Sequence, residues 1–226
     1  MKKIKILILL IFTTTLAYSQ QKEFEKVLGK KNIETLNFFL NDFENNVLKN
    51  KYPKLEIKDA YKEFLTEIVK EKITLKKVVS TKMKNTFNKS ILKKHIFCIS
   101  DSVYVGKSNF ANNNKKAVIT KYKCLKANNK VIETKSEFYF HKELENIESV
   151  IQRAKNSDQP NLVGLFLKAL KAIKVKSNFI KYYIDFTETI GDYWHPIIMS
   201  DSLLKNQINL DNYIIKRLIL INIIYR

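Results

Sequence analysis

The spacing of apolar residues in this chain changes from one typical of helices to one typical of strands, and then back. Apolar residues recur every three or four positions at 33–48 and again at 57–68, which places them on one face of a helix. Between residues 96 and 140 apolar and polar residues alternate in short runs, as in strands with one buried face. Helical spacing returns after residue 142. The pattern predicts an α+β fold, with helices at both ends around a small three-stranded antiparallel sheet at about residues 96–140.

The sheet is predicted as a meander with strands at 96–105, 117–126 and 131–140. A three-residue turn at 128–130 places Val118 and Cys124 on the same face as Ile132 and Phe138. A two-residue turn would instead oppose them to charged residues. Because burial of one face determines register, the three-residue turn is predicted.

Helical runs at 144–151, 162–173 and 179–186 follow the sheet, and Gly191 is expected to end the last of them. In the first helical segment, Asn32 is predicted as the N-cap and Pro53 as the end. Residues 213–225 are apolar almost all round and predict a buried helix, with a buried strand as the alternative. No repeat or linker interrupts the chain, so residues 20–226 are expected to form a single α+β domain.

The first nineteen residues have the three parts of a signal peptide. Lys2, Lys3 and Lys5 precede an apolar run at 6–12, and Ala17-Tyr18-Ser19 places small residues where a signal peptidase cuts. The apolar run is shorter than the roughly 20 residues of a membrane-spanning helix. We therefore expect cleavage after Ser19, export to the periplasm or beyond, and no transmembrane segment in the mature chain. An uncleaved N-terminal anchor is the alternative.

Most of the chain's net charge of +19 lies in one internal segment: residues 72–132 contain fifteen lysines and one acid, Asp101. This distribution predicts a basic face that attracts an anionic partner, such as an envelope polymer, or another exported protein. The alternative is that codons rich in A and T have raised the lysine content without a functional reason. The lysines expected on this face are Lys76, Lys77, Lys82, Lys84, Lys93 and Lys94.

Specific binding to nucleic acid is not expected from this segment. The chain contains only three arginines, and the planar arginine side chain suits phosphates and base edges better than lysine does. Aromatic residues are also not interleaved with the lysines as a base-stacking surface requires.

The two cysteines, Cys98 and Cys124, fall on the first two predicted strands. A symmetric hairpin centred on Ala111 places them directly opposite one another. In an oxidising compartment this predicts a disulfide, with two buried free thiols as the alternative.

The chain lacks the common catalytic motifs, and no cofactor or metal is predicted. Glu188, Asp192 and His195 would align on a continuous helix, which could suit a metal. Gly191 and Pro196 argue that the helix breaks here, which favours Trp194 in the core and His195 bonded to a backbone group. Glu188 and Asp192 are the first residues to test if the chain is a hydrolase with dispersed carboxylates.

The run from Ser177-Asn178-Phe179 through Gly191-Asp192 to Lys216-Arg217 resembles exported bacterial envelope proteins of uncharacterised function. The resemblance covers the last third of the chain and implies no site residue. The leading hypothesis is an exported, non-enzymatic binding or structural protein. An envelope hydrolase and an inhibitor or immunity-type protein are the alternatives.

Overall fold

The computed structural model describes residues 19–107, 116–139, 146–173 and 177–226. Most of the predicted signal peptide, the first hairpin loop and Phe140 lie outside the described residues. The chain is an α+β protein, as the apolar spacing predicts. It divides into two compact units, one comprising the chain up to Leu92 together with Lys168–Arg226, and the other Lys93–Leu167. The expectation of a single domain stays a prediction.

The described helices are numbered along the chain. They are α1 (19–28), α2 (Lys30–Asp42), α3 (Lys49–Lys51), α4 (Ile57–Val69), α5 (Thr81–Lys89), α6 (Ile91–Ile96), α7 (Ile147–Lys155), α8 (Leu165–Ile173), α9 (Asn178–Ile190), α10 (Pro196–Lys205) and α11 (Tyr213–Ile219). A π-helical segment, Phe43–Leu48, joins α2 to α3, and a second one, Leu220–Ile224, continues α11. A short 3₁₀ turn, Leu75–Lys77, lies between α4 and α5.

Polar side chains cap several of the helices. Ser80 and Ser177 accept hydrogen bonds from backbone amides in the first turns of α5 and α9, and Gly191 ends α9 in the left-handed region with a φ of 72°. The prediction for Asn32 was wrong. It is buried inside α2 and donates to the Leu28 carbonyl, because α2 begins earlier, after Gly29.

Aromatic side chains form much of the core of the first unit. The ring of Tyr225 lies 5.0 Å from that of Phe39 and 4.6 Å from that of Phe87. The residues of the last helical segment are almost all buried. Residues 213–224 are helical, so the buried-helix prediction is confirmed and the strand alternative is excluded.

The sheet of the second unit has four antiparallel strands, not the three expected. They are β1 (Phe97–Lys107), β2 (Lys116–Leu125), β3 (Val131–Tyr139) and β4 (Gln159–Pro160), in the spatial order β3-β2-β1-β4. The fourth strand pairs Pro160 with Phe97 and Gln159 with Cys98. Two residues are too few to show an alternating pattern, so the sequence carries no signal for this strand.

The pairing of β2 with β3 groups the faces as predicted, but the three-residue turn lies at 127–129, one residue before the predicted 128–130. Val118 lies opposite Phe138, and Cys124 lies opposite Ile132. The face that carries Val118 packs against Val150 and Ala154 of α7. Burial of this face by α7 explains why the register that groups the apolar residues is the one adopted.

Candidate functional site

Four of the six lysines predicted to form a basic face lie in the first unit. Lys76 and Lys77 are on the 3₁₀ turn, and Lys82 and Lys84 are on α5. All are exposed except Lys84, which is half-buried. The Lys84 ammonium donates a hydrogen bond to the main-chain carbonyl of Lys76. This contact holds the charge of Lys84 beside the turn that carries Lys76 and Lys77.

The other two predicted lysines, Lys93 and Lys94, belong to α6 and to the second unit. Lys94 is exposed, but Lys93 differs from the expectation. Its Nζ lies 2.6 Å from an Asp158 carboxylate oxygen, and its side chain is only 14% exposed. The sequence did not indicate this pairing, because Asp158 follows the sheet and reaches α6 only through the fold.

An open cleft in the first unit lies against the 3₁₀ turn. Its volume is about 360 Å³. It is lined by Val47, Lys51, Phe64, Lys72, Ile73, Thr74, Lys77 and Val78. Three of these eight residues are lysines and none is acidic. The lining therefore combines an apolar surface with positive charge.

The walls of the cleft are held by main-chain hydrogen bonds and by the core. The amide of Lys72 donates to the Glu67 carbonyl at 2.9 Å, and that of Lys77 donates to the Thr74 carbonyl at 2.9 Å. Phe64 is fully buried, and its ring lies 5.3 Å from that of Phe43. The apolar side of the cleft is thus continuous with the core of the unit.

The three lysines of the cleft are not electrostatically equivalent. Lys51 Nζ lies 2.9 Å from Glu67 Oε2. Burial, together with the nearby Glu67 carboxylate, raises the pKa of Tyr52 well above its usual range. Among the described residues, no acidic side chain lies within ion-pair distance of Lys72 or Lys77. These two lysines supply the unbalanced positive charge.

Sequence reasoning missed Lys51 and Lys72, together with the apolar lining of the cleft. Lys72 is the first lysine of the basic segment, and Ile73 and Val78 flank the predicted Lys76 and Lys77. These apolar residues on either side of a lysine pair were the sequence signal that could have indicated a cleft with an apolar lining. Lys51 gave none, because only the packing of α3 near the 72–78 segment brings it to the cleft.

Glu188, Asp192 and His195 do not act together in the structure. Glu188 forms an ion pair with Lys171. An Asp192 carboxylate oxygen lies 2.6 Å from Arg226 Nη2. The His195 side chain is exposed, and its backbone forms the N-cap of α10, so the expected bond from this imidazole to a backbone group is not seen. No group of three His, Cys, Asp or Glu side chains that could hold a metal occurs within the described ranges.

Trp194 fills the core beside this cluster, as predicted. It is 2% exposed, and its carbonyl accepts hydrogen bonds from Asn222 Nδ2 at 2.8 Å and from Arg226 Nη1 at 2.6 Å. The Tyr183 hydroxyl donates to Asn222 Oδ1 at 3.1 Å. The segment 188–195 therefore ends α9, and the hydrogen bonds from Asn222 and Arg226 hold it in place.

A second polar cluster, centred on Arg217, is buried among the helices of the first unit. Arg217 is 4% exposed, and its guanidinium donates to the Tyr213 carbonyl at 2.8 Å and to the Asn37 side chain. It also lies 3.2 Å from the centre of the Tyr213 ring. Burial lowers the pKa of Arg217. A charged residue in an otherwise apolar helical segment is the sequence signal for such a contact, which here connects α2 to α11.

Cys98 and Cys124 form the predicted disulfide, with Cα atoms 4.3 Å apart. The strand register beside the bond is that of the symmetric hairpin, with Ile99 opposite Lys123. A bulge at Asp101 then shifts the rest of the hairpin by one residue, so that Val105 pairs with Val118. Near the loop the strands pair with Lys107 opposite Lys116, one residue away from the symmetric hairpin, and the bulge restores the symmetric register at the cysteines.

No protein-family model, curated protein or solved structure matches this chain. No helix in the described part of the chain is long and apolar enough to cross a membrane. The fold and the site define an α+β protein with one cross-strand disulfide and a lysine-lined cleft. The likeness to exported envelope proteins stays a prediction.

Proposed function

We propose that this chain is an exported, non-enzymatic binding protein that contacts an anionic partner through the first unit. The surface involved, called the lysine surface below, consists of Lys51, Lys72, Lys76, Lys77, Lys82 and Lys84. The main support is the composition of the cleft, in which three lysines and no acid surround an apolar floor.

Lysine ammonium groups attract anions over a distance without fixing their geometry. Such attraction is screened beyond about 8 Å at physiological ionic strength, so binding through the lysine surface will weaken strongly as salt rises. The cleft adds an apolar contact that salt does not weaken. Together they suit a partner that carries both negative charge and apolar groups.

The contacts of the carboxylates favour binding over hydrolysis. A hydrolase with dispersed carboxylates needs two such groups facing one substrate bond. Glu188 and Asp192 instead bind two different cations, Lys171 and Arg226. Neither residue lines the cleft.

Export is supported by the order of the basic, apolar and small-residue segments within residues 1–19. N-terminal sequencing of the native protein should return Gln20 as the first residue, in a fraction outside the cytoplasm. A native chain that begins at Met1 would contradict export by cleavage.

Binding to long-chain polyphosphate, used as a model anionic polymer, tests the lysine surface. The variant with Lys76, Lys77, Lys82 and Lys84 all changed to Glu should bind at least tenfold more weakly than the wild type at low salt. The matched control changes Lys26, Lys31, Lys168 and Lys181 to Glu; these are exposed lysines of the same unit. Both variants change the net charge equally. Their affinities for polyphosphate should therefore differ only if binding takes place at the lysine surface. Equal weakening of the two would overturn the proposal, and circular dichroism checks that both remain folded.

A further inference from the structure

We propose that the cleft at Lys72 and Lys77 is a binding site for a small amphiphilic anion, a carboxylate attached to an apolar chain of about ten carbons. The inference rests on the proposed function, because it names the ligand class of the same lysine surface. It is argued from the charge, the apolar lining and the size of the cleft.

The charge of the cleft selects an anion with a compact head group. Lys51 is already paired with Glu67 at 2.9 Å. Lys72 and Lys77 remain, both exposed at their positions on the 72–78 segment. Two ammonium groups are sufficient to bind one carboxylate, whose two oxygens can each accept a charge-assisted hydrogen bond.

The apolar lining requires more than a head group. Val47, Ile73 and Val78 are half-buried, and Phe64 closes the floor. Thr74 is the one lining residue that is polar but uncharged. A purely polar anion would leave these apolar side chains in water, whereas a hydrocarbon chain would remove them from it. The ligand is therefore amphiphilic.

The size of the cleft sets the length of chain that it can cover. About 360 Å³ is near the lower end of small-molecule sites. At roughly 30 Å³ for each water-sized group, the space holds about a dozen non-hydrogen atoms. Decanoate has about that number of non-hydrogen atoms and a carboxylate head group, so we choose it as the probe.

Isothermal titration calorimetry of the mature chain with decanoate tests this site. Decanoate should bind saturably at one site. Acetate, which lacks the chain, and decyltrimethylammonium, which has the opposite charge, should bind at least tenfold more weakly. Equal binding of decanoate and the cationic amphiphile would overturn the inference, because it would show a purely apolar site.

Two variants of the cleft and one matched control separate its charge from its apolar lining. Lys72→Gln with Lys77→Gln removes the charge, and Ile73→Ser removes apolar surface from a residue outside any helix. Each should weaken decanoate binding at least tenfold. The control, Lys168→Gln with Lys181→Gln, removes the same charge from exposed positions of the same unit that belong neither to the cleft nor to the lysine surface, and it should leave binding unchanged. Unchanged binding in both cleft variants would overturn the site.

The inference and the proposed function fail in different ways. If polyphosphate binds through the lysine surface and decanoate does not bind, the inference is overturned while the proposed function stands. Decanoate binding combined with equal polyphosphate affinities for the lysine-surface variant and its matched control would overturn the proposed function. The cleft would then remain a site for a small anion. If phosphatidylglycerol vesicles compete with decanoate for the cleft, the site stands and its ligand is a lipid. If decanoate binds and the vesicles do not compete with it, the site stands and its ligand is a free carboxylate.

Discussion

Cys98 on β1 and Cys124 on β2 face one another with their Cα atoms 4.3 Å apart, and the disulfide between them closes a loop with a sequence separation of 26. Both residues are buried, against Tyr122 and Ile132. The bond joins the start of β1 to the end of β2, so it restrains the hairpin that these two strands form.

Removing this cross-link should lower the stability of the protein. For a loop of this length the chain-entropy relation gives about 3.5 kcal/mol. The double variant Cys98→Ala with Cys124→Ala should therefore unfold at a lower urea concentration than the oxidised wild type. Reductant should shift the wild type towards the variant and leave the variant unchanged. An intact mass that does not rise on reduction would contradict the bond.

His95 should make the protein less stable in mild acid. It is 2% exposed, and burial lowers its pKa from the usual value of about 6.5. Below that pH the unfolded chain takes up a proton that the folded protein does not. Stability should therefore fall with decreasing pH from about 6.5 down to the folded-state pKa, by at most about 1.4 kcal/mol per pH unit.

Urea unfolding between pH 5 and 8 measures the effect of His95. His95→Gln should flatten the slope below pH 6.5, whereas His195→Gln, at an exposed position, should keep it. An unchanged slope in His95→Gln would assign the acid sensitivity to other groups.

Gly164 should tolerate no side chain, in contrast to Gly191. A Cβ at Gly164 would clash with the His95 carbonyl and lie 2.8 Å from Asn161 Nδ2. Asn161 is fully buried and donates to the carbonyls of Lys94 and Leu125 at 2.8 and 2.7 Å. Gly164→Ala must displace this bonded side chain or the backbone, and it should cost about 2 to 3 kcal/mol.

Gly191→Ala is the matched control for Gly164→Ala. Nothing lies within 4 Å of the added methyl group, and only the positive φ of 72° opposes the substitution, which costs about 1 kcal/mol. Thermal unfolding of both variants measures the difference. A larger loss at Gly191 than at Gly164 would show that the packing around Asn161 is loose.

Arg217→Ala should be strongly destabilising. The change removes a buried cation whose guanidinium bonds to Tyr213 and Asn37 and stacks on the Tyr213 ring. Loss of a buried, hydrogen-bonded charge typically costs about 3 kcal/mol or more. Lys181→Ala, at an exposed position of α9, should cost less than about 0.5 kcal/mol. Chemical denaturation compares them, and similar midpoints would mean that Arg217 contributes little to stability.

The elements that could be predicted are those that depend on the spacing of neighbouring residues or on the symmetry of a hairpin. The helical spacing at 57–68 corresponds to α4, and Gly191 ends α9. The faces of β2 and β3 followed from the register that buries one side of a hairpin, and the disulfide followed from a symmetric hairpin centred on Ala111. The helices α5, α6 and α10 were not predicted, since they are short or carry a mixed pattern.

The candidate site could be predicted only in part. Lys76 and Lys77 were found from the charge distribution, but the cleft also needs Lys51 and Phe64, which come from elements preceding the basic segment. Lys93 was expected on the basic face and is instead held by Asp158. Charge counts show where cations are abundant, whereas the partner of each cation depends on the fold.

The sequence by itself determined the class of fold, the placement of the two cysteines on adjacent strands and the segment that carries the positive charge, because periodicity and net charge are properties of neighbouring residues. The tertiary structure alone decided three other features: the pairing of Gln159 and Pro160 with β1, the burial of Arg217 against Asn37, and the convergence of Lys51, Lys72 and Lys77 on one cleft. Each of these joins residues far apart in the chain. Their contacts form only when burial of the apolar faces brings the helices and strands together, and no local pattern encodes that.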